Sequence, residues 1–268
     1  MGGKWNKKCI ICMLPGISGT LIFFVIPYLR MLYYSVIDNQ YRRNFTGLCN
    51  YIETVKNRYF ILAFKNSLLF IAAGVPVLVV FAVVISILLY FGNISSKKGV
   101  INLCIKSAFI LPMLLPTAAL SVVWREIFEG SSTALPVYIL FWWKNTGICI
   151  ILLTASFAAM DKEVFEAAVV DGVTNIKKHI YITIPMNIPV IIFTALLSIV
   201  NSFRIFKESC LFYGSSYPPD YSYTLQYYMN NHFYKLDYQV LSSSAVLLSL
   251  FIILIVVFCL EMQKKYQV

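Results

Sequence analysis

Six segments of this chain are apolar over lengths that no buried strand needs: residues 9–36, 66–91, 101–126, 138–159, 188–206 and 241–261. A hydrocarbon layer about 30 Å thick is crossed by roughly 20 apolar residues in a helix. The runs 68–90 and 242–260 meet that length without interruption by a charge. A membrane barrel would instead show alternating segments of about ten residues. With 59% hydrophobic and only 13% charged residues among 268, a water-soluble globule is excluded in favour of an all-α polytopic membrane protein. The expectation is about six transmembrane helices in one membrane domain, 1–268, with no repeat and no appended soluble domain.

The charges between these segments orient them. With the N-terminus in the cytoplasm, the inner segments 1–8, 92–100, 160–187 and 262–268 carry ten lysines in 52 residues. The outer segments carry seven Lys or Arg in 74, so basic density is about twice as high inside, the sense of the positive-inside rule. Lys97 with Lys98, Lys177 with Lys178, and Lys264 with Lys265 are the clearest markers, and both termini are expected in the cytoplasm. Lys4, Lys7 and Lys8 precede a first run too long for a signal peptide, which is read as the first span. Lys144 beside Trp142 and Trp143 reads as a headgroup-level cluster that moves the start of the fourth span toward Asn145.

The net charge of +10 serves topology and lipid contact; no basic stripe interleaved with aromatics argues for nucleic acid. The seven cysteines lie mostly within apolar runs, where free cysteine packs as a small hydrophobe. One C-x-x-C, Cys9 and Cys12, lacks a second pair or nearby histidines, so no metal site is expected. No deep Asp, Glu or His marks a proton relay within the six segments.

The inner segment 160–187 is too long and too patterned for a plain connection. From Asp161 to Pro185 it reads as two short helices separated by Gly172. Asp161 suits an N-cap, with Glu163 in the first turn. Phe165, Ala168 and Val169 share a face, leaving Glu163 and Glu166 on another. Gly172 permits a turn that a Cβ resists, and Pro185 and Pro189 prepare the entry to the fifth span. Small alanines and a free carboxylate on an amphipathic surface helix suit docking to a partner; resting on lipid headgroups is the plainer alternative.

Glu166, Ala167, Ala168, Gly172, Ile182, Ile184 and Pro185 resemble in spacing the E-A-A loop of ABC-importer permease subunits, placed as in that family before the penultimate span. Further stretches resemble the carbohydrate branch: 27–35, the G-L-x-N-Y pattern within 44–51, N-S-L-L-F at 66–70, 111–124, and W-K-N-T-G at 143–147. Two departures stand out: the link 127–137 is short for the family, and Val173 replaces a usual alanine.

The resemblance implies an ABC type I importer permease fold in a bacterial cell membrane, with Glu166, Ala167, Ala168, Asp171, Gly172, Ile182 and Pro185 forming the ATPase-coupling loop. It implies as partners a second permease subunit, two ATP-binding-cassette ATPase subunits and an extracellular solute-binding protein. No G-x-x-x-x-G-K-[ST] is present, so ATP and Mg are expected on the partner ATPases, with no cofactor and no catalytic residue on this chain. The solute expected is a sugar or oligosaccharide; a non-sugar solute, or a stand-alone secondary transporter, is the alternative. Ser198, Asn201, Ser202 and Arg204 are candidates for the substrate pathway, because polar groups within a span must find partners. Interhelical hydrogen bonding and snorkelling of Arg204 remain the alternative. Ser242, Ser243, Ser244 and Ala245 read as small packing residues.

Overall fold

The computed structural model describes residues 7–91 and 99–265, so the charge markers Lys4, Lys97 and Lys98 lie outside the described residues. Among the described residues five helices are long and apolar enough to cross a membrane, and a sharply bent pair supplies up to a sixth. Helix α1 (Lys7–Thr20) passes through a π-helical turn into α2 (Ile26–Tyr34). A short α3 (Cys49–Lys56) precedes α4 (Arg58–Phe91). Then come α5 (Gly99–Leu114), α6 (Thr117–Ile127) and α7 (Leu135–Ala158). The segment 160–187 holds α8 (Lys162–Val170), α9 (Asn175–Lys178) and α10 (Ile184–Met186). Helices α11 (Ile188–Arg204), α12 (Phe206–Tyr213), α13 (Leu225–Tyr234) and α14 (Tyr238–Lys265) complete the order.

Three segments differ from expectation. The third apolar run is a broken helix, with 102° between Ser107–Leu114 and Thr117–Ile127. Pro116 is the cause: it has no amide hydrogen and adopts extended backbone (φ −60°, ψ 130°). It also disfavours helical geometry at Leu115, and its carbonyl then accepts the amide of Leu120 at 3.2 Å to start α6. The fourth helix begins at Leu135, ahead of Trp142 and Lys144, which therefore lie inside it. The fifth continues past residue 206, because Ile205 keeps helical angles and α12 extends the span to Tyr213.

The chain divides into two compact units, 1–61 with 228–253 and 62–227 with 254–268. In the first, Asn50 donates through Nδ2 to the carbonyls of Ser35 at 3.0 Å and Ile37 at 2.8 Å, closing the end of α2. Ser35 and Tyr51 share a 2.6 Å hydroxyl contact, and Gly47 takes a φ of +60° just before α3. Thr54 and Ser243 hydroxyls meet at 2.7 Å, and Ser242, Ser243 and Ser244 are buried, as their small size allows.

In the second unit, α4, α7 and α11 contribute to one apolar core that includes Phe70, Leu78, Phe141, Ile150, Leu153 and Phe157, with Ile191 and Ile199 packed against it. Here the N-S-L-L-F pattern acts as a tie: Asn66 Nδ2 donates to the carbonyls of Asp220 and Tyr223, and Ser67 Oγ accepts the amide of Leu225 at 2.9 Å. The indole of Trp142 donates to the carbonyl of Gly74 at 2.8 Å. Helices α5 and α7 approach so closely that a Cβ at Gly147 would overlap the backbone carbonyl of Phe109. At Gly74 a Cβ would meet Tyr138 and Phe141 at ordinary distances of 3.5 and 3.6 Å. Gly147→Ala should therefore lower unfolding stability in detergent by about 1–3 kcal/mol, since backbone must move. Gly74→Ala should be neutral or stabilising by up to about 1 kcal/mol through helix propensity. Thermal unfolding of both variants tests the contrast.

Candidate functional site

The segment 160–187 is built around a helix stop. Asp161 stands immediately before α8, and Gly172 follows its last turn with φ +69°, where an L side chain is strained. The amide of Asp171 makes a last helical bond to the carbonyl of Ala167 at 3.0 Å, and the amide of Val173 reaches back to the carbonyl of Ala168 at 3.0 Å, the six-to-one bond of a Schellman stop. The inward side is fixed by Ala168, which is buried, and by Phe165, whose ring lies 5.3 Å from that of Phe91. Lys178 Nζ sits 5.9 Å over Phe165, and the His179 ring is 4.8 Å from Phe91. Burial, with the neighbouring charge of Lys178, holds the His179 pKa below its usual value and favours the neutral ring. The outward side carries exposed Glu163, Glu166, Ala167 and Asp171 together with bare apolar surface. Val170 is 87% exposed, Ile176 73% and Tyr181 72%.

Of the expected loop residues, Glu166, Ala167, Asp171, Gly172 and Pro185 lie on the exposed side, while Ala168 is buried and Ile182 half-buried. The side chain of Val169, expected beside Phe165, lies outside the described residues. A residue missed by sequence reasoning holds the loop to the spans. Asn187, 1% exposed, accepts at Oδ1 from the Ser156 hydroxyl. Through Nδ2 it donates to the Thr183 carbonyl at 2.7 Å and contacts Met160 Sδ at 3.0 Å. The end of α7, the loop and the start of α11 thus meet on one side chain. Its signal was a lone amide between Pro185 and Pro189 in an apolar stretch.

The four expected pathway residues separate into two pairs. Ser198 is buried, donates to its own helix at Thr194 O (2.7 Å) and touches Cys149 Sγ at 3.6 Å. Ser202 is buried and donates to Ile199 O at 2.6 Å. Both serines therefore bond backward within the helix and pack. Asn201 and Arg204 instead line a cleft of about 460 Å³, joined there by Lys144, Asn145, Lys207 and Gln226.

Glu208, only 7% exposed, forms one wall of that cleft. Its Oε1 receives the Lys144 ammonium and the Thr117 hydroxyl, and Lys144 also donates to Thr117 Oγ1 at 3.0 Å. Lys144 is thus turned to an ion pair that joins α7 to α12, rather than to the headgroups. No acid lies deep in the six apolar segments, but one stands in the extension of the fifth helix. Sequence reasoning missed this pair because its members are 64 residues apart and Glu208 follows a basic residue that reads as an exit from the membrane. Isolated buried charges are strongly disfavoured, and pairing is what permits both to stay.

Known proteins with this architecture include a bacterial ABC transporter involved in the import of the acidic polysaccharide alginate. One of its chains superposes with a TM-score of 0.73 at 18% identity, over 96% of this chain and 95% of that one. The arabinooligosaccharides transport system permease protein AraP of Halalkalibacterium halodurans is 28% identical over 69% of this chain, and the match spans 64% of that relative's length. AraP of Bacillus subtilis is 28% identical over 80% of this chain and 75% of its own. The lactose transport system permease protein LacF of Rhizobium radiobacter is 26% identical over 81% of this chain and 80% of its own. Residues 82–265, well over half of the chain, match the binding-protein-dependent transport system inner membrane component family, and the chain belongs to that family as a multi-pass permease component rather than an ATPase.

Proposed function

We propose that this chain is one of two permease subunits of an ATP-driven importer that moves a saccharide delivered by an extracellular binding protein. The arabinooligosaccharide and lactose permeases among its relatives support a carbohydrate solute. Segment 160–187 is read as the coupling element, with Glu166, Ala167, Ala168, Asp171, Gly172, Ile182 and Pro185 in that role. The observation that carries this reading is the two-sidedness of α8. Phe165 and Ala168 hold it to the bundle while Glu166 and Val170 stand free, as docking into a cytoplasmic ATPase groove requires.

In this mechanism, closure of the partner ATPases around ATP displaces α8, and the Schellman stop transmits the displacement without bending. Asn187 passes it to both α7 and α11, which re-aim the cleft lined by Asn201 and Arg204. The coupling is carried by an element with two discrete positions.

In proteoliposomes holding the complete transporter, Glu166→Lys and Gly172→Asp should each cut ATP-dependent uptake at least tenfold while the permease still inserts in the membrane. Normal uptake by both variants rejects the coupling assignment. Uptake that persists without any ATPase subunit, driven by a proton gradient, establishes a secondary transporter instead. Asn187→Leu leaves the Ser156 hydroxyl unpaired and should cost about 1–3 kcal/mol of stability. A chemical-denaturation midpoint unchanged by that replacement removes Asn187 from its linking role.

A further inference from the structure

We propose that the cleft beside α11 and α12 selects an acidic saccharide, one bearing uronate carboxylates, through Arg204 and Lys207; this rests on the saccharide-importer reading above. The argument is one of charge balance. Among the described residues lining the cleft there are three cations and one carboxylate, Glu208. That carboxylate is buried and committed to Lys144, so the pair contributes no net charge to the passage. Arg204 and Lys207 are exposed, three residues apart on the same side of one continuous span, and neither has a carboxylate within ion-pair distance among the described residues.

Two uncompensated cations in a cleft with low-dielectric walls concentrate anions and disfavour other cations. A neutral sugar can accept hydrogen bonds from these groups, as it can from the amides Asn145, Asn201 and Gln226 that line the same space, but it leaves their charge uncompensated, whereas a uronate neutralises it. A carboxylate accepts from guanidinium in a two-pronged geometry and from ammonium as a point charge, so Arg204 orients the acid group and Lys207 adds attraction. The volume of about 460 Å³ lies in the range that holds a few sugar rings.

The test uses the complete transporter in proteoliposomes, with trigalacturonate as acidic probe and arabinotriose as neutral probe of equal length. The expected result is a kcat/KM for trigalacturonate at least tenfold above that for arabinotriose. In Arg204→Gln/Lys207→Gln that ratio should fall below threefold, and in the charge-conserving Arg204→Lys/Lys207→Arg it should stay above fivefold. Because the binding protein is the same throughout, a change in the ratio belongs to the cleft. Wild-type uptake that favours arabinotriose overturns the acidic-solute assignment and leaves the saccharide importer standing. A preference for trigalacturonate that survives the Gln variant overturns the role of these two residues. If the wild type moves neither probe, the uronate assignment falls, and the saccharide-importer reading is decided separately by uptake of other sugars such as lactose.

Discussion

In hydrocarbon a peptide group has no water to bond, so each amide and carbonyl must be satisfied by the chain itself. Every long helix of this protein answers that constraint, and the places where helices break show how it is met elsewhere. Between Leu115 and Thr117 the interruption falls on Pro116, a residue with no amide hydrogen to leave unpaired. At Asn187 a buried side chain donates to the Thr183 carbonyl across the break. From within α4, Asn66 serves the carbonyls of Asp220 and Tyr223 beyond the end of α12, and after α2 Asn50 serves those of Ser35 and Ile37. Side-chain amides thus stand where main-chain ladders end.

This economy links the loop to the cleft. Helix α11 starts at the hydrogen bonds of Asn187 and ends at Arg204, so one rod of 17 residues, about 25 Å long, connects the two regions. Its middle is packed through Ser198 against Cys149 of α7, which leaves little freedom to bend. Motion at one end therefore reaches the other as tilt or shift of the whole rod, the behaviour expected of close-packed helices.

What could be read from the residues divides along the same physical line. Spans are legible because length and apolarity are local properties, and the stop at Gly172 is legible because a positive φ selects glycine. The polar patterns G-L-x-N-Y, N-S-L-L-F and W-K-N-T-G marked the right places, although their tasks emerged only when Asn50, Asn66 and Gly147 were seen against their partners. The bend at Pro116 escaped notice because residues 101–126 stay apolar throughout, and hydrophobicity alone does not distinguish a straight helix from a folded one. The Lys144–Glu208 pair was hidden because each charge, taken alone, reads as the edge of a membrane; only their meeting makes the interior tolerable.

Among the described residues of this chain, no atom lies within 4 Å of where a Cβ at Gly172 would stand. Within this chain, damage from a larger residue there is a matter of dihedral angle and not of collision. A defect caused by collision yields to second-site revertants that shrink the neighbour, but here no described residue of this chain stands close enough to shrink. A suppressor hunt starting from a β-branched residue at this position should return glycine itself, or asparagine, whose short amide tolerates the left-handed region.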